Sequence, residues 1–149
     1  MKIYTSYFGN VAALKRCGIH PISIARWSPR NWDGDRLIWL APTPYMVKEA
    51  SREEYIRLYQ DICHRVNIEG LIRTLSTIGK GSDVALLCYE RPGDFCHRHM
   101  LAEYMTEHGI TVKEFSEYEY QQEQAKVMAA STPPPPPEPP QPEQLSLFD

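Results

Sequence analysis

Apolar and polar positions along the chain follow two different periods. The run Val84-Ala-Leu-Leu-Cys-Tyr89, bounded by Gly81-Ser-Asp83 and Pro92-Gly93, holds no strongly polar side chain, which predicts a short strand covered on both faces. Ile3 to Thr5, Ile22 to Arg26 and Thr111 to Phe115 read as further strands. Between them the spacing changes to three and four. Tyr55, Leu58, Tyr59 and Ile62 follow the capping box Ser51-Arg-Glu-Glu54, and Ile68, Leu71, Ile72 and Leu75 share a stripe that Gly79 stops. A third stripe, His97, Met100, Leu101, Tyr104 and Met105, follows Asp94, read as an N-cap. Asn10 and Gly18 bracket a shorter helix through Val11 to Lys15, and the polar stretch Glu117 to Lys126 allows a last one.

Strands alternating with helices predict an α/β domain: a small, mostly parallel sheet of about four strands with flanking helices and right-handed crossovers. One stretch resists the pattern. Residues 27 to 50 carry Trp27, Trp32 and Trp39 among Pro29, Pro42 and Pro44, too long for a plain connection and too aromatic for disorder. It reads as an ordered functional loop, either a base-stacking platform or a flap closing the core.

Composition divides the chain. From Ser131 onward there are eight prolines, three acids and no Lys or Arg, and setting those acids aside leaves 16 acids against 16 bases in the body. The net charge of -3 therefore belongs to the tail, and a neutral body argues against sequence-independent coating of nucleic acid. The expected organisation is an α/β domain over 1–128, a disordered proline-rich linker over 129–143 and a terminal peptide over 144–149. The linker is a spacer in polyproline form, with service as a ligand for an aromatic-lined groove as the alternative. Four cysteines without a leader or an apolar span predict a cytoplasmic protein with reduced thiols, no disulfide framework and no membrane partner.

Candidate chemistry gathers where the Val84 run meets the following helix. Cys88 and Glu90 share a strand face, and Cys96, His97 and Arg98 occupy the first helical turn. That turn is cationic where the helix dipole favours an anion, so a negative group is expected beside Arg98. Ligands in such sheets gather at the carboxyl ends of strands, which adds Thr5, Ser6 and Arg26 to the expected anion site. No glycine-rich phosphate loop is present. Cys63-His64 lacks the partner spacing of a metal site and reads as incidental.

Met1-Lys-Ile-Tyr-Thr-Ser-Tyr-Phe8, Ile22-Ser-Ile-Ala-Arg26, Leu40-Ala-Pro42, Leu86-Leu-Cys-Tyr-Glu90 and Cys96-His-Arg98 together resemble the bacterial and phage domain-of-unknown-function 488 family over about residues 1 to 118. The resemblance implies one α/β domain with Cys88, Glu90, Cys96, His97 and Arg98 as its site, and it implies no particular reaction. Three mechanisms stay open. The first is a catalytic pocket built on Cys88, Glu90, Cys96 and His97, with a cysteine as nucleophile. The second is an anion- or nucleic-acid-binding module without turnover. The third, a metal site on Cys88, Cys96 and His97, matches no standard zinc spacing and ranks last, so neither metal nor cofactor is expected.

The terminal Gln144-Leu-Ser-Leu-Phe148 closely resembles the peptide by which bacterial replication and repair proteins bind the DNA polymerase sliding clamp. Leu147 and Phe148 would fill one apolar pocket, Leu145 a neighbouring one, and Gln144 would hydrogen-bond at the rim. The expected function is thus a clamp-recruited protein whose pocket acts on nucleic acid or a nucleotide. The alternative is a non-enzymatic adaptor, or a phosphate-ligand module, tethered to the clamp.

Overall fold

The apolar run at Val84 forms the central strand of a parallel sheet. In this computed structural model, which describes residues 1–91, 95–131 and 133–139, the chain forms two compact units, Met1–Glu117 and Tyr118–Asp149. The first unit holds β1 (Ile3–Tyr7), α1 (Val11–Arg16), β2 (His20–Ser23), β3 (Asp35–Arg36), α2 (Pro44–Lys48), α3 (Arg52–His64), α4 (Ile68–Gly79), β4 (Val84–Cys88), α5 (His97–Glu107) and β5 (Val112–Glu114). A last helix, α6, spans Glu117–Ser131.

The sheet has five strands in the order β3-β2-β4-β1-β5, every described pairing parallel, one strand more than expected. Parallel register puts all carboxyl ends along one edge: Tyr7 lies opposite Cys88, Ser23 opposite Leu87, and Thr5 opposite Glu114. Each residue of β4 is buried. Val84 and Leu86 join Ile3, Ile22, Leu71, Leu75, Leu101 and Met105 in one apolar cluster, which burial of their side chains stabilises. Such a strand needs covering on both faces, and the unbroken apolar run already required it.

Several local expectations are corrected by packing. β2 starts two residues before Ile22 and ends at Ser23, although Ile24 still donates to Leu87 O at 2.9 Å. Pro21 is tolerated inside it because pairing with β3 starts only at Ile22, leaving no ladder bond on that side for its missing N–H. β3 is two charged, exposed residues, a short edge strand of the kind that discourages further pairing. The aromatic stretch also contains α2, whose Thr43 cap and Pro44 at the first helical position are a legible start signal. Asn10 stands before α1, but its amide donates to Ser6 Oγ at 3.2 Å instead of capping. The N-cap of α5 is Cys96; Asp94, expected there, lies outside the described residues.

α4 ends at Gly79 as expected, but the left-handed residue that closes it is Lys80, at φ 53°. What Gly79 provides is close approach, since a Cβ there would stand 2.7 Å from Val84 Cγ1. Gly79→Ala would gain about 1 kcal/mol of helix propensity but incur about 1–3 kcal/mol of overpacking. We therefore expect a net loss of about 1 kcal/mol, read from a lower urea midpoint at unchanged slope. A midpoint equal to or above that of the parent would show that Val84 yields and that close packing is not why glycine stands there.

Candidate functional site

Beyond the carboxyl ends of β2 and β4 lies a cavity of about 420 Å³, a size suited to a small ligand. Its floor is Cys88, Cys96 and His97, and its walls include Trp27, Tyr55 and Phe95. Arg26, Arg52 and Glu90 complete the polar lining. The strand-to-helix junction read from the sequence therefore opens onto a cavity, and Cys88, Glu90, Cys96, His97 and Arg26 all face it.

Cys88, last in β4, and Cys96, N-cap of α5, are joined as a disulfide. This corrects the expectation of reduced thiols for that pair; Cys17 and Cys63 are not part of the disulfide. The two meet because β4 and α5 pack with the end of one against the start of the other, a proximity that sequence spacing does not disclose. His97 is buried, and its Nε2 stands 2.8 Å from Ile24 O. A carbonyl only accepts, so Nε2 carries the proton and Nδ1 keeps its lone pair. That Nδ1 lies 3.8 Å from Cys96 Sγ. Burial pushes the imidazole down to about 4, against the opposing pull of the Ile24 hydrogen bond, and the ring packs edge-on against Tyr59 at 5.1 Å. Among the described residues, Cys88, Cys96 and His97 are the group whose ligand atoms lie close enough, within 4.8 Å, to hold one ion.

Arg98 sits behind this floor and does not line the cavity. It is fully buried, and its guanidinium donates to both Glu114 oxygens, Nε to Oε1 at 3.0 Å and Nη2 to Oε2 at 2.9 Å. Nη1 reaches Cys88 Sγ at 2.9 Å and Glu90 O at 2.6 Å. Thr5 Oγ1 donates to the same Glu114 at 2.7 Å, and Ser6 Oγ accepts from Asn10. The anion expected beside Arg98 is thus a carboxylate of the chain itself. Thr5 and Arg98 hold it together, Ser6 is engaged elsewhere, and none of the three reaches the cavity. Glu114 escaped notice because only the β1–β5 register sets it opposite Thr5.

Arg26, expected at the same site, does line the cavity. Its Nε donates to Pro42 O at 2.7 Å, which orients the guanidinium at the cavity wall. Two further cations stack on the aromatic rim: Arg52 lies 4.7 Å from the Phe95 ring and Lys48 lies 5.1 Å from that of Trp27. Arg52, Tyr55 and Phe95 were missed, since nothing local distinguishes them from an ordinary helix start and loop residue. The tryptophans divide: Trp27 lines the cavity, whereas Trp32 packs on Phe8 at 5.2 Å and donates to Asp35 O. Cys63 is buried in the core, where desolvation pushes its thiol up to about 11.

An α/β domain with a cysteine–histidine floor at the carboxyl edge of a parallel sheet is the class these features define. Residues 10–109, more than half of the chain, match the family model described as the Active DUF488-N3 subclade, and the chain belongs to that family. No curated protein and no solved structure matches it. Among the described residues, no helix is long and apolar enough to cross a membrane. Gln144, Leu145, Leu147 and Phe148 lie outside the described residues.

Two outcomes follow from the buried groups. Glu114→Ala leaves the Arg98 charge buried without its partner and should cost about 3 kcal/mol, the low end for a buried pair because Glu114 keeps 25% side-chain exposure. Arg98→Met with Glu114→Leu should recover much of that loss in chemical denaturation; equal destabilisation by both proteins would refute a paired charge. The oxidised protein should also weaken in acid. Folded His97 resists a proton that the unfolded chain accepts near its ordinary value, so its contribution is full above about pH 6.5 and declines as pH falls toward 4. Denaturation at pH 7.5 and 4.5 should show a smaller difference for His97→Gln than for the parent.

Proposed function

We propose that this chain is an enzyme that acts on nucleic acid or a nucleotide in the cavity and is brought to DNA through the replication sliding clamp. The observation that carries the first half is the His97 Nε2 bond to Ile24 O, which fixes an unprotonated Nδ1 beside Cys96 Sγ at the cavity floor. A base held against a sulfur, with the Arg98 guanidinium stabilising negative charge on the neighbouring Cys88, is equipment for reaction once the pair is reduced. Glu90 at the rim is the group to carry a proton between reactant and solvent. A structural disulfide alone would not call for a cavity there.

The substrate class rests on the lining. Trp27, Tyr55 and Phe95 offer flat apolar surface to a base, and Arg26, with Lys48 and Arg52 at the rim, offers positive charge to a phosphate. Membership of a subclade described as active accords with this reading. The clamp assignment rests on Gln144, Leu145, Leu147 and Phe148 at the end of a proline-rich spacer. Residues 133–139 of that spacer are exposed, as a tether requires. Its place of action would then be the cytoplasm.

Titration of the reduced full chain with nucleoside monophosphates and short single-stranded DNA, followed by tryptophan fluorescence, tests the cavity. Saturable binding is expected, weakened at least tenfold by Arg26→Ala, while Cys88→Ala and Cys96→Ala should bind but abolish turnover. No saturable change up to millimolar ligand would overturn the substrate class, binding without turnover would favour the adaptor reading, and turnover unaffected by either cysteine substitution would overturn the role given to the sulfurs. For the tail, the full chain should bind purified bacterial clamp with Kd of about 1 μM, and Leu147→Ala with Phe148→Ala should abolish it.

A further inference from the structure

We infer that Cys88, Cys96 and His97, with the two sulfurs reduced, hold one zinc-class divalent ion whose fourth coordination position opens into the cavity. The inference rests on the reading of the cavity as a reaction site and replaces direct attack by a sulfur with attack by ion-bound water. Two thiolates and one imidazole form the ligand set of a catalytic zinc centre, which keeps one position for water or substrate.

Geometry supports each ligand. His97 Nδ1 and Cys96 Sγ are 3.8 Å apart. A tetrahedral ion about 2.3 Å from sulfur and about 2.0 Å from nitrogen sets that separation at about 3.5 Å. Nε2 donating to Ile24 O leaves the correct nitrogen free and fixes the ring, as a partner behind a metal-bound histidine does. The Cα atoms of Cys88 and Cys96 stand 7.5 Å apart, wider than the roughly 4.4–6.8 Å usual for bonded cysteines. That backbone span leaves room for an ion between two reduced sulfurs. The disulfide and the ion are alternative states of the pair, interconverted by an external dithiol that becomes oxidised as the pair is reduced.

Charge closes as well. A divalent ion neutralises two buried thiolates, just as Glu114 neutralises buried Arg98, so no net charge is stranded behind the floor. The Arg98 N–H on Cys88 Sγ then serves as a hydrogen bond to a metal-bound sulfur. On the open side, Glu90 lines the same cavity. The water on the ion passes a proton to Glu90 as its oxygen bonds to an electrophilic carbon or phosphorus. Glu90 delivers that proton to the nitrogen or oxygen that leaves, and nothing is oxidised or reduced. Nucleotides undergo metal-assisted hydrolysis of this kind, and a Cys/Cys/His ion with a non-ligating glutamate also serves hydrolytic removal of an amino group from a base.

The full chain, reduced with a dithiol and dialysed against zinc, should carry one ion per chain by elemental analysis. Cobalt substitution should give sulfur-to-cobalt charge-transfer absorption with tetrahedral visible bands. Cys88→Ser, Cys96→Ser and His97→Ala should each lower affinity at least tenfold, whereas Glu90→Gln and Arg26→Ala should keep the ion. Absence of metal and of the cobalt bands in the reduced parent overturns the inference without need of any variant, and so does full affinity in the ligand variants. Nucleotide binding by a reduced protein that takes up neither zinc nor cobalt would sink the ion alone. A bound ion with no nucleotide binding would sink the substrate reading and leave the ion standing.

Discussion

The buried pair of Arg98 and Glu114 is the constraint on which the site depends. A guanidinium with no solvent exposure is tolerable only with its charge matched and its donors used. Here the matching carboxylate comes from β5 and is steadied by Thr5 of β1, while the remaining donors reach the Glu90 carbonyl and Cys88. One side chain of α5 thereby ties the end of β4 to β5, with β1 joined through Thr5 on the same carboxylate. That fixes where the helix begins, and the beginning of α5 is where Cys96 and His97 stand.

Behind the floor the Arg98 and Glu114 charges are paired, and in front of it stand the groups with chemistry to offer once the disulfide is reduced. The back holds a bidentate ion pair and a hydroxyl; the front holds two sulfurs, an imidazole nitrogen with its lone pair, a carboxylate and exposed aromatic rings. Such a division suits a reaction site, where rigid groups hold reactive ones in a fixed position beside a space for the reactant. The tail contributes nothing to that chemistry. In the proposed function it supplies only proximity, raising the local concentration of the cavity near DNA.

Much of the fold was legible because its signals are local. The Val84 run, the Ser51 cap and the apolar stripes of α3 and α4 each declare themselves within a few residues, and α/β alternation follows. β3 was not legible, since Asp35 and Arg36 have neither apolar alternation nor β propensity and pair only because β2 lies beside them. For the site, the junction and its residue types were readable, and their partners were not. Arg98 looked like a ligand for a foreign anion because Glu114 is 16 residues away in sequence and adjacent only through sheet order. His97 lay on the buried stripe as its spacing required, yet its tautomer needed Ile24 O, contributed from the residue just after β2.

The most direct test of this account is the rate at which iodoacetamide modifies each cysteine of the reduced, chelator-treated chain, resolved by peptide mass analysis. If Arg98, held by Glu114, stabilises charge on Cys88, then Cys88 should react well ahead of Cys17 and Cys63 in the parent. It should slow at least tenfold in the folded Arg98→Met, Glu114→Leu protein, with Cys17 unchanged. Cys88 reacting at the same rate in both proteins would contradict the central role given to the pair.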